Sequence, residues 1–319
     1  MSSGKRSSAE KSLLERAGAM GGVTDARNRL PDALLGLMNE HAMRSSYVSI
    51  GRQRIRVMVE NEGAGNPLLL INGIGATGDL FEPLREHLGD RETIAFDAPG
   101  VGGSPAAIYP PTMRSIARLI AGLIHELGHD SVDVLGLSWG GALAQELARR
   151  HPDRVRRLIL TATMSGWTSM PGRPAAVSIL MSPARYYSTD YLRRVAPTLY
   201  GGIIAERPKL LAEHARLREA RPPTTVGYMW QLSALRRWTS LPWLHRLRQR
   251  TLVLAGDDDP IIPLINAKVI AGRITDGRLH VVEGGGHLFL FTRAEEMAEI
   301  IKDFLASGVD EAKRHLATQ

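Results

Sequence analysis

At 319 residues, 44% hydrophobic and 23% charged, the chain has the composition of an ordinary globular protein, with room for one large α/β domain or two smaller ones. The lack of cysteine excludes disulfides, a thiol nucleophile and thiolate-bound zinc or iron–sulfur centres, and is what a reducing cytoplasm favours. A formal charge of +7 and a pI of about 9.9 raise the question of nucleic acid, yet the basic residues form no tract interleaved with aromatics, so no nucleic-acid partner is expected.

Residues 1–45 read as an N-terminal extension. Its start, MSSGKRSSAEKSLLERAGAMGG, has no apolar stretch of the roughly 7 to 15 residues that a secretory signal needs, and LPDALLGLMNEHAM at 30–43 has the spacing of one amphipathic helix. No segment offers about 20 apolar residues in a row, so no transmembrane segment is expected and the expected location is cytoplasmic.

From residue 46 the pattern becomes regular. Short apolar runs that read as buried strands, PLLLIN, ETIAFD, VDVLGL, RRLILTAT, TLVLAGD and RLHVVEG, alternate with helical stretches, the signature of a largely parallel sheet with helices on both faces. The alternation breaks once, between RRLILTAT and TLVLAGD, over a long stretch that holds Trp167, Trp230, Trp238 and Trp243. Residues 166–246 therefore read as a mostly helical cap over the strand ends, between core segments at 46–165 and 247–308, with a C-terminal tail at 309–319.

Ligands of such sheets bind beyond the carboxyl ends of the strands, so the residues that follow each strand carry the information. After PLLLIN comes a loop with Gly73, Gly75 and Gly78 in the spacing of a dinucleotide fingerprint, and Asp97 closes the next strand where a ribose-binding acid would stand. A pyrophosphate also wants a helix that begins within the fingerprint, whereas LFEPL follows here and Pro83 permits a helix only from near that point. Asp97 reads better as an organiser of the turn APGVGGS.

The next segment, MRSIARLIAGLIHELGH, contains His125-Glu-Leu-Gly-His129, which matches a zinc-protease pattern letter for letter. Burial of Ile116, Leu119, Ile120, Leu123, Ile124 and Leu127 at helical spacing turns His125 to solvent, and Gly128 reads as the helix stop. No metal is expected.

After VDVLGL stands Ser138 within Gly136-Leu-Ser-Trp-Gly140, ahead of the helical run ALAQELARR. This is the strand, sharp turn and helix of a nucleophile elbow, in which flanking glycines avoid collisions and the helix start favours developing negative charge. A serine hydroxyl needs a histidine base and an acid that orients it. Downstream, TLVLAGDDDPIIP offers Asp259, with Asp257 and Asp258 as competitors, and EGGGHLF offers His287 after three glycines that give the imidazole room. The oxyanion donors expected with this arrangement are the amides of Ile74, in the glycine loop, and Trp139, after the nucleophile.

On these residues the chain resembles the α/β-hydrolase superfamily, and within it the intracellular depolymerases of medium-chain-length polyhydroxyalkanoate. The resemblance is carried by PLLLINGIGATGDLFEPL, IAFDAPGVGGS, VDVLGLSWGGALAQELA, the cap segments SPARYYS, APTLYGG and RRWTSLPWLHRLRQ, and TLVLAGDDDPIIPLINAKVIAGRI with EGGGHLFLFTRAEE, and it covers about 47–306. It implies an α/β-hydrolase fold with the cap inserted after the sixth strand. It also implies cofactor-free hydrolysis of a polyester or small ester through Ser138, Asp259 and His287. Residues 1–45 match nothing in that family and 218–226 fit it loosely.

The cap aromatics and methionines suit an apolar acyl tunnel, although many of them would serve as cap core. Arg193, Arg194, Arg216, Arg218, Arg236, Arg237, Arg246, Arg248 and Arg250 face few acids. They read either as a solvated surface or as a docking face for an anionic storage granule. Same-fold alternatives are a small-molecule carboxylesterase, a thioesterase and a C–C bond hydrolase; alternatives of other classes are a catalytically silent granule-surface protein and a dinucleotide-binding oxidoreductase. Oligomeric state is not legible from the sequence.

Overall fold

The computed structural model describes residues 44–307. The helix expected at 30–43 and the tail expected at 309–319 lie outside the described residues. Eight strands, β1 (Arg44–Ile50), β2 (Gln53–Glu60), β3 (Leu68–Ile71), β4 (Thr93–Phe96), β5 (Val132–Leu137), β6 (Val155–Thr161), β7 (Arg250–Gly256) and β8 (Gly277–Val282), form one sheet in the order β1-β2-β4-β3-β5-β6-β7-β8. β2 runs antiparallel to β1 and β4, and the remaining pairs are parallel. Every residue of β3 and β4 is buried, which is why these strands read as unbroken apolar runs: helices cover both faces.

The β1–β2 hairpin is absent from the six strands read in the sequence. β1, RSSYVSI, is an edge strand with mostly exposed side chains, so it carries no apolar run to find. It begins at Arg44, two residues inside the stretch read as N-terminal extension.

The helices that flank the sheet are α1 (Glu82–Arg85), α2 (Met113–Glu126) and α3 (Trp139–Arg150) before the cap, then α8 (Leu264–Arg273), α9 (Phe289–Thr292) and α10 (Ala294–Ala306) after it. In α2, Thr112 and Ser115 form a capping box, and Ile116, Ile120, Leu123 and Ile124 are buried, with Leu119 and Leu127 packed at the margin. His125 is exposed. Gly128 ends the helix at φ +82°, its amide donating to the His125 carbonyl while the His129 amide donates to that of Ile124. His129 Nε2 then lies 3.0 Å from Glu92 Oε1. The zinc-protease pattern is thus split between an exposed helix face and a turn. No cluster of metal-ligating side chains occurs among the described residues.

The cap occupies the connection from β6 to β7 and holds α4 (Pro174–Leu180), α5 (Thr189–Tyr200), α6 (Pro208–Ala220) and α7 (Thr225–Arg236). Its two ends are tied together: Gly166 pairs with Thr239 in an antiparallel bridge, the Trp167 amide donates to the Trp238 carbonyl (3.1 Å), and the Ser240 amide donates to that of Ser165 (2.9 Å). Trp238 and Trp243 meet edge to face at 6.0 Å within the buried core, with the Arg149 guanidinium over Trp243. These two tryptophans are therefore packing residues. Among the described residues no helix is long and apolar enough to cross a membrane.

Candidate active site

β5 delivers Ser138 at the head of α3 with φ 55° and ψ −115°, a conformation that costs a non-glycine residue about 1–3 kcal/mol. The surroundings fix it. The Ser138 amide donates to the Thr161 carbonyl (2.8 Å), and the Ser138 carbonyl accepts from Thr163 Oγ1 (2.7 Å) and the Gly141 amide (2.9 Å). A Cβ on Gly136 would strike the backbone of Gly140 and Gly141, and one on Gly140 would strike the carbonyls of Ile71 and Asn72. Thr163, which no sequence motif marks, thus braces the turn from the neighbouring strand end. Trp139 is the first residue of α3, where an amide has no intrahelical acceptor.

His287 Nε2 stands 3.1 Å from Ser138 Oγ, and His287 Nδ1 stands 2.7 Å from Asp259 Oδ2. The side chains of His287 and Asp259 are 8% and 1% exposed, so this chain of hydrogen bonds is shielded from water. The other carboxylate oxygen of Asp259 accepts the amides of Ile261 (2.8 Å) and Ile262 (2.9 Å). Its competitors are occupied elsewhere: Asp257 is exposed, and Asp258 accepts the Gly202 amide (2.8 Å) and lies 3.5 Å from Arg173. The three glycines before His287 do more than give the ring room. Gly284 has φ +62°, a Cβ on Gly285 would meet the Val282 carbonyl, and one on Gly286 would run into the cap backbone at Tyr200 and Gly201. The His287 amide donates to the Tyr200 carbonyl (2.6 Å), so the cap seats directly on the histidine loop.

The glycine loop after β3 is organised from within. Asn72 Nδ2 donates to the Thr77 carbonyl (2.6 Å), Asn72 Oδ1 accepts the Gly73 amide (2.8 Å), and Gly75 turns at φ +71°. Gly73 backs onto Ser138, with an added Cβ 3.5 Å from the serine Cβ; at Gly75 it would press on the rings of Tyr186 and Tyr228. Two cap residues hold the Ile74–Gly75 peptide: Tyr186 donates its hydroxyl to the Ile74 carbonyl (2.5 Å), and Gln231 Oε1 accepts the Gly75 amide (2.7 Å). The Gln231 carbonyl also accepts Trp139 Nε1 (2.9 Å). The Gly75 amide is thus engaged by the cap. Gln231→Leu leaves the buried Gly75 amide without its acceptor and loosens this peptide. The expected result is a fall in kcat for p-nitrophenyl octanoate of roughly 10- to 100-fold with a smaller change in KM, measured by initial rates.

Asp97 organises the neighbouring turn. Its carboxylate accepts the amides of Gly78 (3.0 Å) and Gly103 (2.8 Å) and Arg56 Nη1 (3.2 Å), and its carbonyl accepts Ser104 Oγ (2.6 Å). Burial pushes the Asp97 carboxyl above its usual range against the pull of these donors. Burial acts likewise on Asp79, but Arg56, bonded to both its oxygens, outweighs it and holds that carboxyl low. The Gly75 and Gly78 amides that a pyrophosphate would need are therefore occupied by Gln231 and Asp97.

Ser138 and His287 open into a cleft between core and cap, lined by Leu80, Phe81, Leu84, Leu288, Leu290 and Phe291. The profile of the alpha/beta hydrolase fold matches residues 66–294. The chain is 45% identical over 270 residues to a poly(3-hydroxyalkanoate) depolymerase of Ectopseudomonas oleovorans, covering 84% of this chain and 94% of the relative.

The chain belongs to the α/β-hydrolase family.

A 2-hydroxy-6-oxo-2,4-heptadienoate hydrolase of Pseudomonas putida is 28% identical to this hydrolase, over 79% of this chain and 94% of the relative. The crystal structure of a hydrolase from Pseudomonas aeruginosa superimposes with a TM-score of 0.71 at 21% identity, covering 83% of this chain and 99% of that one, a likeness of fold.

Proposed function

We propose that this hydrolase cleaves polyesters of medium-chain 3-hydroxy acids, with Ser138 as nucleophile, His287 as base and acid, and Asp259 as the group that orients the imidazole. The observation that carries the chemistry is the unbroken buried chain from Asp259 Oδ2 through His287 to Ser138 Oγ. The 45% identity to a depolymerase over most of both chains supports the substrate class.

A carboxylate that already accepts two amides can only accept from His287 Nδ1–H, which leaves Nε2 free to take the serine proton. Ser138 Oγ bonds to the ester carbonyl carbon, the proton passes to Nε2, and the carbonyl oxygen becomes an oxyanion between the Ile74 and Trp139 amides at the α3 N-terminus. Collapse expels the alcohol with the proton from Nε2 and leaves an acyl-serine. Water, deprotonated by the same nitrogen, releases the acid and restores the serine. No step calls on a cofactor.

The granule is the proposed site of action. Trp167, Met181 and Met229 are exposed and, with Met164, Leu232 and Leu235, line one apolar hollow of the cap beside Arg236. Arg193, Arg194, Arg216, Arg237, Arg246 and Arg248 are exposed as well, whereas Arg250 is half-buried and donates to the Ser307 carbonyl. The apolar hollow with Arg236 at its side suits an anionic, lipid-like surface better than it suits water alone.

The test is release of 3-hydroxy acids from amorphous medium-chain polyhydroxyalkanoate granules, beside p-nitrophenyl octanoate, with the wild type and Ser138→Ala. Serine-dependent release by protein that sediments with the granules is the expected result. Cleavage of the small ester without release from granules would discard the polymer and favour a small-ester esterase, a thioesterase or a C–C bond hydrolase.

A further inference from the structure

The acyl cleft contains an unusual group of cap side chains. Arg185 and Arg218 are 3% and 6% exposed, His214 and Tyr200 each 2%, and all four line the same cleft as Ser138. Neither guanidinium has a carboxylate partner among the described residues, and no Asp or Glu lines the cleft. Their charges rest on aromatic faces instead: the Tyr186 ring lies 4.8 Å from the Arg185 guanidinium and 4.5 Å from that of Arg218. Arg185 donates through Nη1 to the Ser182 carbonyl (2.9 Å) and the Tyr228 hydroxyl (2.8 Å), and Arg218 donates through Nε to His214 Nε2 (2.6 Å).

What remains is all of one kind. Arg185 Nε, Arg218 Nη1, His214 Nδ1 and the Tyr200 hydroxyl are buried and have no hydrogen-bond partner among the described residues. Burial, reinforced by the positive charge of Arg218 and Arg185, keeps His214 well below its usual pKa and therefore neutral. Because its Nε2 accepts from Arg218, the ring proton sits on Nδ1. All four unused groups can thus donate, and the cluster carries two positive charges with no negative one among the described residues. Buried charge without a counter-charge is heavily penalised, and an anion with several acceptor lone pairs removes that penalty.

We propose that Arg185, Arg218, His214 and Tyr200 form a subsite for a carboxylate on the substrate molecule, which selects esters whose acid or alcohol portion ends in a free acid. The inference rests on Ser138 being the nucleophile of the same cleft. For a polyester of 3-hydroxy acids, the group that meets the description is the carboxyl end of the chain, so bonds near that end are favoured over internal ones.

Binding to the Ser138→Ala protein tests this without turnover. By calorimetry at pH 7, 3-hydroxyoctanoate is expected to bind at least tenfold more tightly than its methyl ester, and Arg218→Met and Arg185→Met in the same background should each shrink that ratio to about twofold or less. In hydrolysis, the free-acid dimer of 3-hydroxyoctanoic acid should exceed its methyl ester tenfold or more in kcat/KM for the wild type, and the ratio should approach one for Arg218→Met. Equal binding of acid and methyl ester overturns the proposal, as does a preference that survives both arginine substitutions, or acetate binding as tightly as 3-hydroxyoctanoate. If an arginine variant fails to fold by circular dichroism, the acid-to-ester comparison in Ser138→Ala decides alone. Failure on granules with the carboxylate preference intact would discard the polymer and leave the subsite standing.

Discussion

Ser138→Ala is expected to lower turnover of p-nitrophenyl octanoate by on the order of 10⁴-fold or more, with little change in the thermal unfolding midpoint. The large effect follows from the removal of the atom proposed to bond to the ester carbon: Ser138 Oγ sits 3.1 Å from His287 Nε2, at the head of a helix and beside the glycine loop. The small structural effect follows from what holds the elbow. Its hydrogen bonds run through the backbone of Ser138, to Thr161 and Gly141 and from Thr163 Oγ1, and alanine keeps all of them. Stopped-flow or steady-state rates beside a thermal melt measure both quantities. A variant that unfolds, or that retains wild-type rates, would contradict the role given to the hydroxyl.

Asp259→Asn is the second large expectation, a loss of about 10³- to 10⁴-fold in kcat, whereas Asp257→Asn and Asp258→Asn should each cost less than tenfold. The carboxylate of Asp259 accepts three hydrogen bonds, two from amides and one from His287 Nδ1. An asparagine can keep the amide bonds through its oxygen only by turning its NH₂ toward the imidazole, which forces the proton onto Nε2 and removes the base. Asp258 instead anchors the cap loop through the Gly202 amide, so its substitution should act on KM and stability more than on kcat. Kinetics of the three variants separate these roles. Comparable losses at Asp257 or Asp258 would move the acid elsewhere.

The parts of this site that could be read in the sequence are those held by local geometry. An elbow needs glycines at fixed offsets from the serine because the backbones of β3 and α3 close on it, and that requirement leaves a pattern at Gly136 and Gly140. The same holds for the parallel strands, whose burial on both faces leaves only apolar runs. Residues whose importance comes from distant contacts leave no such mark. Gln231, 156 positions from the Gly75 amide it binds, reads as one polar residue on a cap helix. Arg218 reads as one of many arginines in and beside the cap that face few acids, and only the fold shows that it is buried with His214 rather than solvated. The edge strand β1 escaped for a related reason: it is held by pairing with β2 along its length, and only Val48 and Ile50 pack on the core, too few to leave an apolar run.

The proposed mechanism requires that the geometry around Ser138 make its hydroxyl nucleophilic. The most direct measurement is reaction of the full chain with a fluorophosphonate, read by intact mass and peptide mapping. One phosphonyl adduct per chain, on the peptide that contains Ser138 and lost in Ser138→Ala, is the predicted result. Label on another residue would contradict the role of Ser138, and a folded protein that takes up no label would contradict it and favour a catalytically silent protein of the granule surface.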